Sequence, residues 1–352
     1  MKYINLQHLA FSEIDIKDSF FDTLKKDYDR FEEWFNRKKI NHEDAYVQYD
    51  DENRLMGFLY LKMEESNIVT DVEPPIEGEG ILKIGTFKIK AHGTKMGEQF
   101  LKVLFDYAVE KKAEICYVTI FEKHKSLINL IRQYGFKEWG TKGEGEKLEK
   151  VYSKNMRQIT GNLWFDYPMV IPNGHRKFLL SIYPQYHSKM FPESILTNES
   201  RNMIKDISYT NSIQKNYVCS MQGVENLQKG DIIVLYRTAE SGRSAEYSAV
   251  ATTVCTVTEI KLQNSFSDFE DFYLYTNRFT VFDKDDLAYW YNRGGLKVIS
   301  MLYNFPLKRR IVRHELINKI GLPREIYWGF FELSDKDFMN IVNYGQANEY
   351  LR

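Results

Sequence analysis

Residues 81–102 read ILKIGTFKIKAHGTKMGEQFLK, and this stretch decides the fold of the first half of the chain. The run ILKIGTFKIK is typical of a strand, and the residues from Gly97 onward are typical of an amphipathic helix. Between them lies a small-residue turn that contains Gly93 and ends at Gly97. A helix N-terminus presents unpaired N–H groups and a partial positive charge. The turn therefore either binds a phosphate group or serves only as a tight connection.

The bulk composition predicts a globular protein of two domains. The chain has 352 residues, of which 43% are hydrophobic and 15% aromatic, and a single core rarely extends over such a length. No apolar run is long enough to span a membrane, and the charged N-terminal segment does not resemble a signal peptide. Cys116, Cys219 and Cys255 lie far apart, so we expect reduced core cysteines in a cytoplasmic protein and no metal site.

The charge is distributed unevenly between the two halves. Residues 1–150 carry 24 basic and 28 acidic side chains, a net charge of −4, and residues 151–352 carry 24 basic and 21 acidic side chains, a net charge of +3. This difference directs any polyanion binding toward the second half. It is too small to establish nucleic-acid binding.

The order of elements around the turn predicts an α/β domain. Upstream, a short strand precedes a segment from Ser19 to Lys39 whose aromatic residues recur at helical spacing, which predicts a helix with one buried face. Two strands and a Pro- and Gly-containing loop follow. Downstream of the turn we expect four further elements, namely the helix GEQFLKVLFDYAVEKK, the strand AEICYVTIF, the helix HKSLINLIRQYGF and the strand LEKVYSKN.

This order resembles the GNAT family of acetyl-coenzyme A-dependent N-acetyltransferases over roughly residues 1–153. Two stretches carry the resemblance, the turn after the fourth strand and the Gly-Phe pair that ends IRQYGF. In the turn the family has Arg or Gln, two residues, Gly, one residue, and then Gly or Ala. His92 takes the place of the Arg or Gln, Lys95 that of the first glycine, and Gly97 that of the last small residue.

The lysine in the turn is a departure from the family pattern. Lys95 supplies a backbone N–H as glycine does, provided that its φ angle need not be positive. Its ammonium group would add positive charge to the phosphate site. A plain helix-capping turn is the alternative interpretation.

The resemblance implies an α/β GNAT fold, a mixed central sheet in which two parallel strands splay apart, and acetyl-CoA as the cofactor. The pantetheine arm would lie in the gap along Phe87, Lys88 and Ile89. The pyrophosphate would be held by the turn, and the residues implied there are His92, Gly93, Thr94, Lys95, Met96 and Gly97.

The proton-handling residue of the family is missing. Many members place a tyrosine four residues before the Gly-Phe pair to protonate the leaving thiolate, and this position is Ile131 here. We take His124 and Tyr134 as the catalytic candidates, although Tyr134 also reads as a packing residue and His124 as an ordinary helix-start residue. The missing tyrosine also fits an acceptor reactive enough to need no acid, or a domain that binds coenzyme A without catalysis.

The second half reads as a separate β-rich domain. We place a proline- and aromatic-rich connector at 154–175 and the domain at 176–352. Strands are expected over NYVCS, GDIIVLYRTA, YSAVATTVCTVTEIK and RFTVFD, and short helices over ESRNMIKDI, DKDDLAYWYN, RHELINKIG and SDKDFMNIVNYG. The pattern weakly resembles the PUA-like superfamily, with its ASCH and EVE groups, which implies an α+β domain with a small β-barrel. An unrelated α+β module is the alternative.

One basic run in the second half is the candidate nucleic-acid surface. The stretch KRRIVRH contains Lys308, Arg309, Arg310 and Arg313, enough for two or three phosphate contacts. Nearby aromatic residues are candidates for base stacking, namely Tyr289, Trp290, Tyr291 and Trp328. A solvated basic surface and core tryptophans are the simpler interpretation.

Together the two resemblances imply an N-acetyltransferase acting on an amine of RNA or aminoacyl-tRNA, which the second domain presents. Bacterial GNAT toxins that acetylate aminoacyl-tRNA make this chemistry reasonable, and such an activity implies an inhibitory partner protein. Two alternatives stay open. One is a protein or small-molecule N-acetyltransferase with a structural second domain, and the other is a non-catalytic CoA-binding domain fused to a reader of modified nucleic acid.

Overall fold

The computed structural model describes residues 6–90, 93–194, 196 and 208–352. The chain divides into two compact units, Met1–Asp166 and Tyr167–Arg352. The division falls inside the segment in which the sequence places a connector, and each unit has its own sheet.

Unit 1 is built on a seven-stranded mixed sheet, as expected for an α/β fold. Its strand order is β1-β2-β3-β6-β7-β9-β8, and a two-stranded sheet of β4 and β5 lies in the loop after β3. The strands are β1 Leu6–Ala10, β2 Asp44–Tyr49, β3 Leu55–Met63, β4 Ile68–Val69, β5 Ile76–Glu77, β6 Ile81–Ile89, β7 Ile115–Ile120, β8 Lys137–Lys142 and β9 Glu149–Asn155. The helices are α1 Asp22–Asp27, α2 Phe31–Ile40, α3 Met96–Glu110, α4 Lys125–Gln133 and α5 Leu163–Asp166.

The helical segment predicted from Ser19 to Lys39 is interrupted. After α1 the chain is extended at Tyr28, with φ −128° and ψ 100°, and α2 begins at Phe31. Phe20 and Phe21, directly before α1, and Phe31 and Phe35 of α2 still pack into one core with Phe11 and Phe58. At Tyr28 a hydrogen bond to Glu149 on β9 replaces continuation of the helix, because tertiary contacts override local propensity.

The parallel strands β6 and β7 separate before either strand ends. Their pairing runs from Ile81 with Ile115 to Ile84 with Val118. Beyond that point β6 continues to Ile89 while still paired with β3 on its other side. The sheet therefore opens between β6 and β7 at their carboxyl ends, immediately before the turn that leads into α3.

Unit 2 contains a six-stranded mixed sheet with the order β11-β14-β13-β12-β10-β15. Its strands are β10 Lys177–Ile182, β11 Gln214–Cys219, β12 Ile232–Arg237, β13 Val250–Leu262, β14 Lys297–Val312 and β15 Phe330–Leu333. In the described residues this sheet has two edge strands and does not close on itself, so the expected small β-barrel is not found. The helices are α6 Pro184–Met190, α7 Ser208–Asn211, α8 Ala245–Ser248, α9 Phe269–Thr276, α10 Lys284–Arg293, α11 Arg313–Glu315 and α12 Asp335–Tyr344.

The expectations for unit 2 differ from the structure at several elements. The strand predicted over RFTVFD is wrong, since residues 278–283 form a loop in which Thr280 and Phe282 are buried. The longest strand, β14, was not expected. It pairs with both β11 and β13, and Pro306 together with register shifts conceals its alternation. The helix predicted over ESRNMIKDI lies outside the described residues, whereas α10 and α12 are found where expected.

Three further observations bear on the bulk expectations. Cys116, Cys219 and Cys255 are buried and form no disulfide. Across the described ranges, no three His, Cys, Asp or Glu side chains come together as a metal site requires. Within the same ranges, no helix has both the length and the apolar character needed to cross a membrane.

Candidate active site

A cavity of about 1240 Å³ lies in unit 1 where β6 and β7 part. Its walls come from α1, the break before α2, the second half of β6, the turn before α3, the end of β7 and the start of α4. Ligand pockets typically measure about 300–1,000 Å³. The cavity is therefore large enough for an extended ligand and a second reactant.

The turn before α3 has two residues in the left-handed region. Gly93 has φ 84° and Lys95, directly before α3, has φ 61° and ψ 20°. The condition that the φ angle of Lys95 need not be positive is thus not met, and the lysine adopts the conformation that a glycine would take without strain. His92, the predicted counterpart of the family's Arg or Gln, lies outside the described residues.

The ammonium group of Lys95 forms an ion pair within its own helix turn. Its Nζ atom lies 2.7 Å from Oε1 of Glu98, whose side chain is 4% exposed. This pairing offsets the positive charge that the lysine was expected to add to a phosphate site. The backbone of the turn still lines the cavity.

Gly97 lies in the first turn of α3, where backbone N–H groups have no intrahelical acceptor. A Cβ atom at this position would lie 2.7 Å from Cδ2 of Leu130 and 3.5 Å from Cδ1 of Ile89. All three residues line the cavity. A larger residue at position 97 would therefore fill the space beside the N-terminus of α3.

The two faces of β6 contact different helices. The Phe87 ring lies 6.1 Å from that of Phe100 on α3, whereas the Lys88 ammonium donates to the carbonyl of Phe20 and to Thr23 at the α1 side. Burial lowers the pKa of Lys88 below its ordinary value. The edge of β6 beyond Ile84 faces the gap, so its main chain is placed to bind a ligand as a strand would.

Of the two catalytic candidates, only His124 lines the cavity. It directly precedes α4, its side chain is 42% exposed, and its Nε2 atom lies 3.4 Å from Oδ2 of Asp27. Asp27 also binds Lys123, with 2.5 Å between Nζ and Oδ1.

The assignment of Tyr134 as a catalytic candidate is contradicted. Tyr134 is fully buried, its hydroxyl donates to Oε2 of Glu98 over 3.3 Å, and it is not among the residues that line the cavity. Burial and the Glu98 carboxylate raise the pKa of Tyr134 well above its usual range. Ile131, at the position of the family tyrosine, is likewise buried.

Sequence reasoning missed a second polar pair in the cavity wall. The Tyr28 hydroxyl donates to Oε1 of Glu149 over 2.7 Å, and both residues line the cavity. Burial, followed by the charge of Glu149, raises the pKa of Tyr28 well above its usual range, so the phenol remains a donor. Neither residue belongs to a sequence motif. Because 121 positions separate them along the chain, the sequence does not indicate that they form a pair.

The cavity wall carries an excess of positive charge. Seven lysine and arginine residues line it, against the three carboxylates Asp27, Asp29 and Glu149. Such an excess favours an anionic ligand.

In unit 2, the first two cations of the basic run are paired with carboxylates. Nζ of Lys308 lies 2.6 Å from Oε1 of Glu349, and Nη2 of Arg309 lies 2.6 Å from Oε1 of Glu315. The Arg309 guanidinium also lies 3.9 Å from the centre of the Tyr344 ring. Their charge is therefore largely compensated within the unit.

The other two cations of the run point elsewhere. Arg310 is half-buried and donates to the carbonyl of Glu193 over 2.7 Å. Arg313 lies over the ring of Trp328, 4.6 Å from its centre, and Trp328 is itself buried. The structure does not bring the four cations together on one exposed face, so the predicted phosphate-binding patch is not formed as expected.

The aromatic candidates for base stacking are also dispersed. Tyr289 is 61% exposed, whereas Trp290 and Tyr291 are half-buried and pack against the core that contains Phe272 and Phe282. These side chains form no common stacking surface with Trp328.

Comparison with known proteins gives structural likenesses only. No protein-family model matches the chain. No curated protein sequence matches it.

Among solved structures, the chain is similar to an acetyltransferase of the GNAT family from Streptococcus agalactiae, with 14% identity, coverage of 44% of this chain and 99% of that one, and a TM-score of 0.34. It is similar to an acetyl-CoA-bound GNAT family acetyltransferase from Elizabethkingia anophelis, with 12% identity, coverage of 43% and 98%, and a TM-score of 0.29. It is also similar to an ASCH protein from Zymomonas mobilis, with 10% identity, coverage of 47% and 94%, and a TM-score of 0.33. These likenesses are remote, and the function proposed below depends on the geometry of this chain.

Proposed function

We propose that the chain is an acetyl-CoA-dependent N-acetyltransferase whose reaction takes place in the cavity of unit 1. The observation that carries this proposal is the opening between β6 and β7 after Ile84 and Val118, directly beside the turn and the N-terminus of α3. An exposed strand edge and a helix start adjoin one cavity, and together they suit a ligand with an amide-containing arm and a diphosphate.

The residues present fit such a ligand. The main chain of Phe87, Lys88 and Ile89 would bind the amides of the arm, and the backbone of Gly93, Thr94, Lys95, Met96 and Gly97 would bind the diphosphate. The positive excess in the wall complements a polyanion. Acetyl-CoA itself supplies an activated acetyl thioester, and the protein supplies the binding and proton transfer.

We assign His124 to proton handling at the leaving thiolate. The side chain reaches the cavity, and Asp27, 3.4 Å from Nε2, orients the ring. A histidine held by a carboxylate is a common general acid and base. This arrangement supplies the function that Ile131 does not.

We further propose that the acceptor amine belongs to RNA, with aminoacyl-tRNA as the preferred form. The positive wall favours an acceptor on an anionic carrier, and the pKa of an α-amino group, about 7.7–8.0, is low enough for a single base in the cavity to remove its proton. A toxin-like activity restrained by an inhibitory partner protein is part of this proposal. Expression of the chain should then slow growth, and a variant that binds no acetyl-CoA should not.

Calorimetric titration with acetyl-CoA tests the cofactor site. We expect binding by the wild type and a rise in melting temperature, because a ligand that binds only the native state stabilises it. Gly97→Trp should abolish binding, since the indole would occupy the space beside α3. Glu110→Trp, at an exposed position of the same helix, is the matched control and should bind normally.

Incubation with labelled acetyl-CoA in desalted cell extract identifies the acceptor. Label in RNA that is released by mild base, as an aminoacyl ester would be, agrees with the proposal. Label in protein or in small molecules instead contradicts the RNA acceptor while leaving acetyl transfer in place. A wild type that does not bind acetyl-CoA at all contradicts the enzymatic function.

A further inference from the structure

Glu149 differs from the other carboxylates of the cavity wall. Asp27 is paired with Lys123 and His124, and Asp29 is exposed and paired with Lys147. Glu149 is only 8% exposed, and among the described residues no cation lies within ion-pair distance of it. Its hydrogen bond comes from a neutral donor, the Tyr28 hydroxyl.

An ionised carboxylate that is largely buried without a cation is costly unless a partner compensates its charge. One phenolic hydrogen bond, at 2.7 Å, reaches Oε1 of this carboxylate. The opening beside the group is the cavity itself. A positively charged ligand group entering from the cavity would complete the site.

Glu149 lies in the cavity wall beside the carboxyl end of β7. Glu149 is the first residue of β9, and the next residue, Lys150, pairs with Ile120 at the end of β7. Tyr28 comes from the break between α1 and α2. The two residues therefore flank the carboxyl end of β7 from the α1 side, opposite the contacts that β6 makes with α3.

We propose that Glu149 binds the ammonium group of the acceptor and removes its proton, and that Tyr28 is a positioning residue that holds the carboxylate. This inference rests on the proposed function. It narrows the acceptor to a primary amine that is protonated on arrival, and it assigns a base distinct from His124.

The proton balance of the step is as follows. The acceptor R–NH₃⁺ transfers one proton to the Glu149 carboxylate, and the nitrogen lone pair then forms a bond with the acetyl carbonyl carbon. The C–S bond breaks as the protonated His124 gives its proton to the thiolate, and the nitrogen gives its second proton to the imidazole of His124, which restores its starting form. The proton on Glu149 then passes to solvent. The products are the amide, the free thiol of coenzyme A and one proton released to solvent.

The test compares label incorporation from acetyl-CoA into all fractions of a desalted extract. Glu149→Gln should bind acetyl-CoA as the wild type does but transfer acetyl about 100-fold more slowly or worse, the usual range for loss of a general base. Glu149→Ala should be equally slow and should regain activity when formate is added, because formate fits the space of the missing carboxylate. Tyr28→Phe should lose less than Glu149→Gln.

Two measurements separate this role from a structural one. Glu149→Gln should melt no lower than the wild type, since the side-chain carbonyl of glutamine can still accept the hydrogen bond from Tyr28. Glu138→Gln, a carboxylate on β8 outside the cavity lining, is the matched control and should transfer acetyl normally.

Wild-type transfer rates in Glu149→Gln, or a failure of formate to restore Glu149→Ala, would overturn the inference. Because label is measured in every fraction of the extract, an acceptor other than RNA would leave the inference about Glu149 intact. Absence of acetyl-CoA binding in the wild type would instead remove the proposed function and this inference together.

Discussion

Lys95 shows how a lysine can occupy a left-handed backbone position at small cost. Its φ of 61° belongs to a region that costs a non-glycine residue about 1–2 kcal/mol. The ion pair with the nearly buried Glu98 is a favourable contact that glycine would lack. The lysine keeps the geometry of the glycine and adds a side-chain contact inside the helix turn.

This strain can be measured with two variants of the same position. Lys95→Gly and Lys95→Met both remove the ion pair, but only glycine relieves the backbone. We expect Lys95→Gly to exceed Lys95→Met in free energy of unfolding by roughly 1 kcal/mol, measured by urea denaturation. Equal stability of the two variants would mean that the turn is not held in the left-handed region.

His124 carries the proposed proton-handling role, and its loss has a specific signature. We expect His124→Ala to slow acetyl transfer by about 100-fold without weakening acetyl-CoA binding by calorimetry. Asp27→Asn should have a smaller effect in the same direction, because it leaves the imidazole in place. A wild-type rate in His124→Ala would remove the residue from the mechanism.

At the residue scale, the features of the candidate site that the sequence could indicate are the local ones, and their roles stay predictions. The turn, the absent tyrosine at Ile131 and the position of His124 were all readable from a continuous stretch. The pair of Tyr28 and Glu149 was not, because only the tertiary fold joins two residues 121 positions apart. Tyr134 was misassigned for a related reason, since spacing along a helix does not reveal that Glu98 lies beside it.

The strand β6 contains a bulge that has its own packing requirement. Register shifts opposite Tyr60 and Leu61, which pair with Thr86 and Ile84, so Gly85 is the extra residue. A Cβ atom there would lie 2.5 Å from Cδ1 of Tyr60, whose ring is buried. The bulge thus depends on an aromatic ring of the neighbouring strand, and it comes one residue after the last pairing with β7.

Replacement of Gly85 tests this dependence. We expect Gly85→Ala to lower the free energy of unfolding by about 1–3 kcal/mol, the usual range for overpacking. The same substitution made in a Tyr60→Leu background should cost less, since the ring atoms are gone. An equal loss in both backgrounds, measured by urea denaturation, would contradict the packing explanation.

At the element scale, regular patterns were predictable and interrupted ones were not. The alternation of β3 and the apolar spacing of α3 identified both elements. The break at Tyr28 escaped detection because aromatic residues on either side keep helical spacing. In unit 2, β14 escaped because Pro306 and several register shifts interrupt its alternation, and the barrel was wrong because strand order cannot be read from strand propensity.

At the scale of the whole molecule, each unit buries one basic group whose pKa is strongly lowered. Burial, followed by the charges of Arg237 and Arg310, lowers the pKa of His187 in unit 2 from 6.5 to about 3. Burial lowers the pKa of Lys154 in unit 1 from 10.5 to about 7. Both groups bind a proton more readily in the unfolded chain, so both make stability rise with pH.

The loss of unfolding free energy at acid pH should come in part from His187. Between pH 6.5 and pH 5 we expect this group to remove about 1.5 kcal/mol of unfolding free energy, since the unfolded chain gains a proton that the folded chain does not. The difference between the wild type and His187→Gln, measured by urea denaturation at both pH values, isolates this contribution. A pH slope that is identical in the two proteins would show that His187 titrates normally when folded.

The pH dependence of stability above pH 7 should depend on Lys154, whose Nζ group donates to the carbonyl of Tyr134 over 2.9 Å. Stability should increase from about pH 7 toward pH 10.5 as the unfolded chain loses the proton that the folded chain has already released. Lys154→Met should flatten this pH dependence in denaturation experiments at pH 7 and pH 9. Parallel pH dependences of the two proteins would contradict the assignment.

The parting of β6 and β7 also separates two kinds of recognition. An acetyl donor that binds the main chain of β6 would not depend on which side chains that strand carries. The side chains themselves alternate, since Thr86 and Lys88 project toward the α1 side and Phe87 toward α3. Under the proposed function, exchange of side chains at alternate positions of β6 would therefore change the preferred acceptor while the main chain of the same strand keeps its acetyl donor.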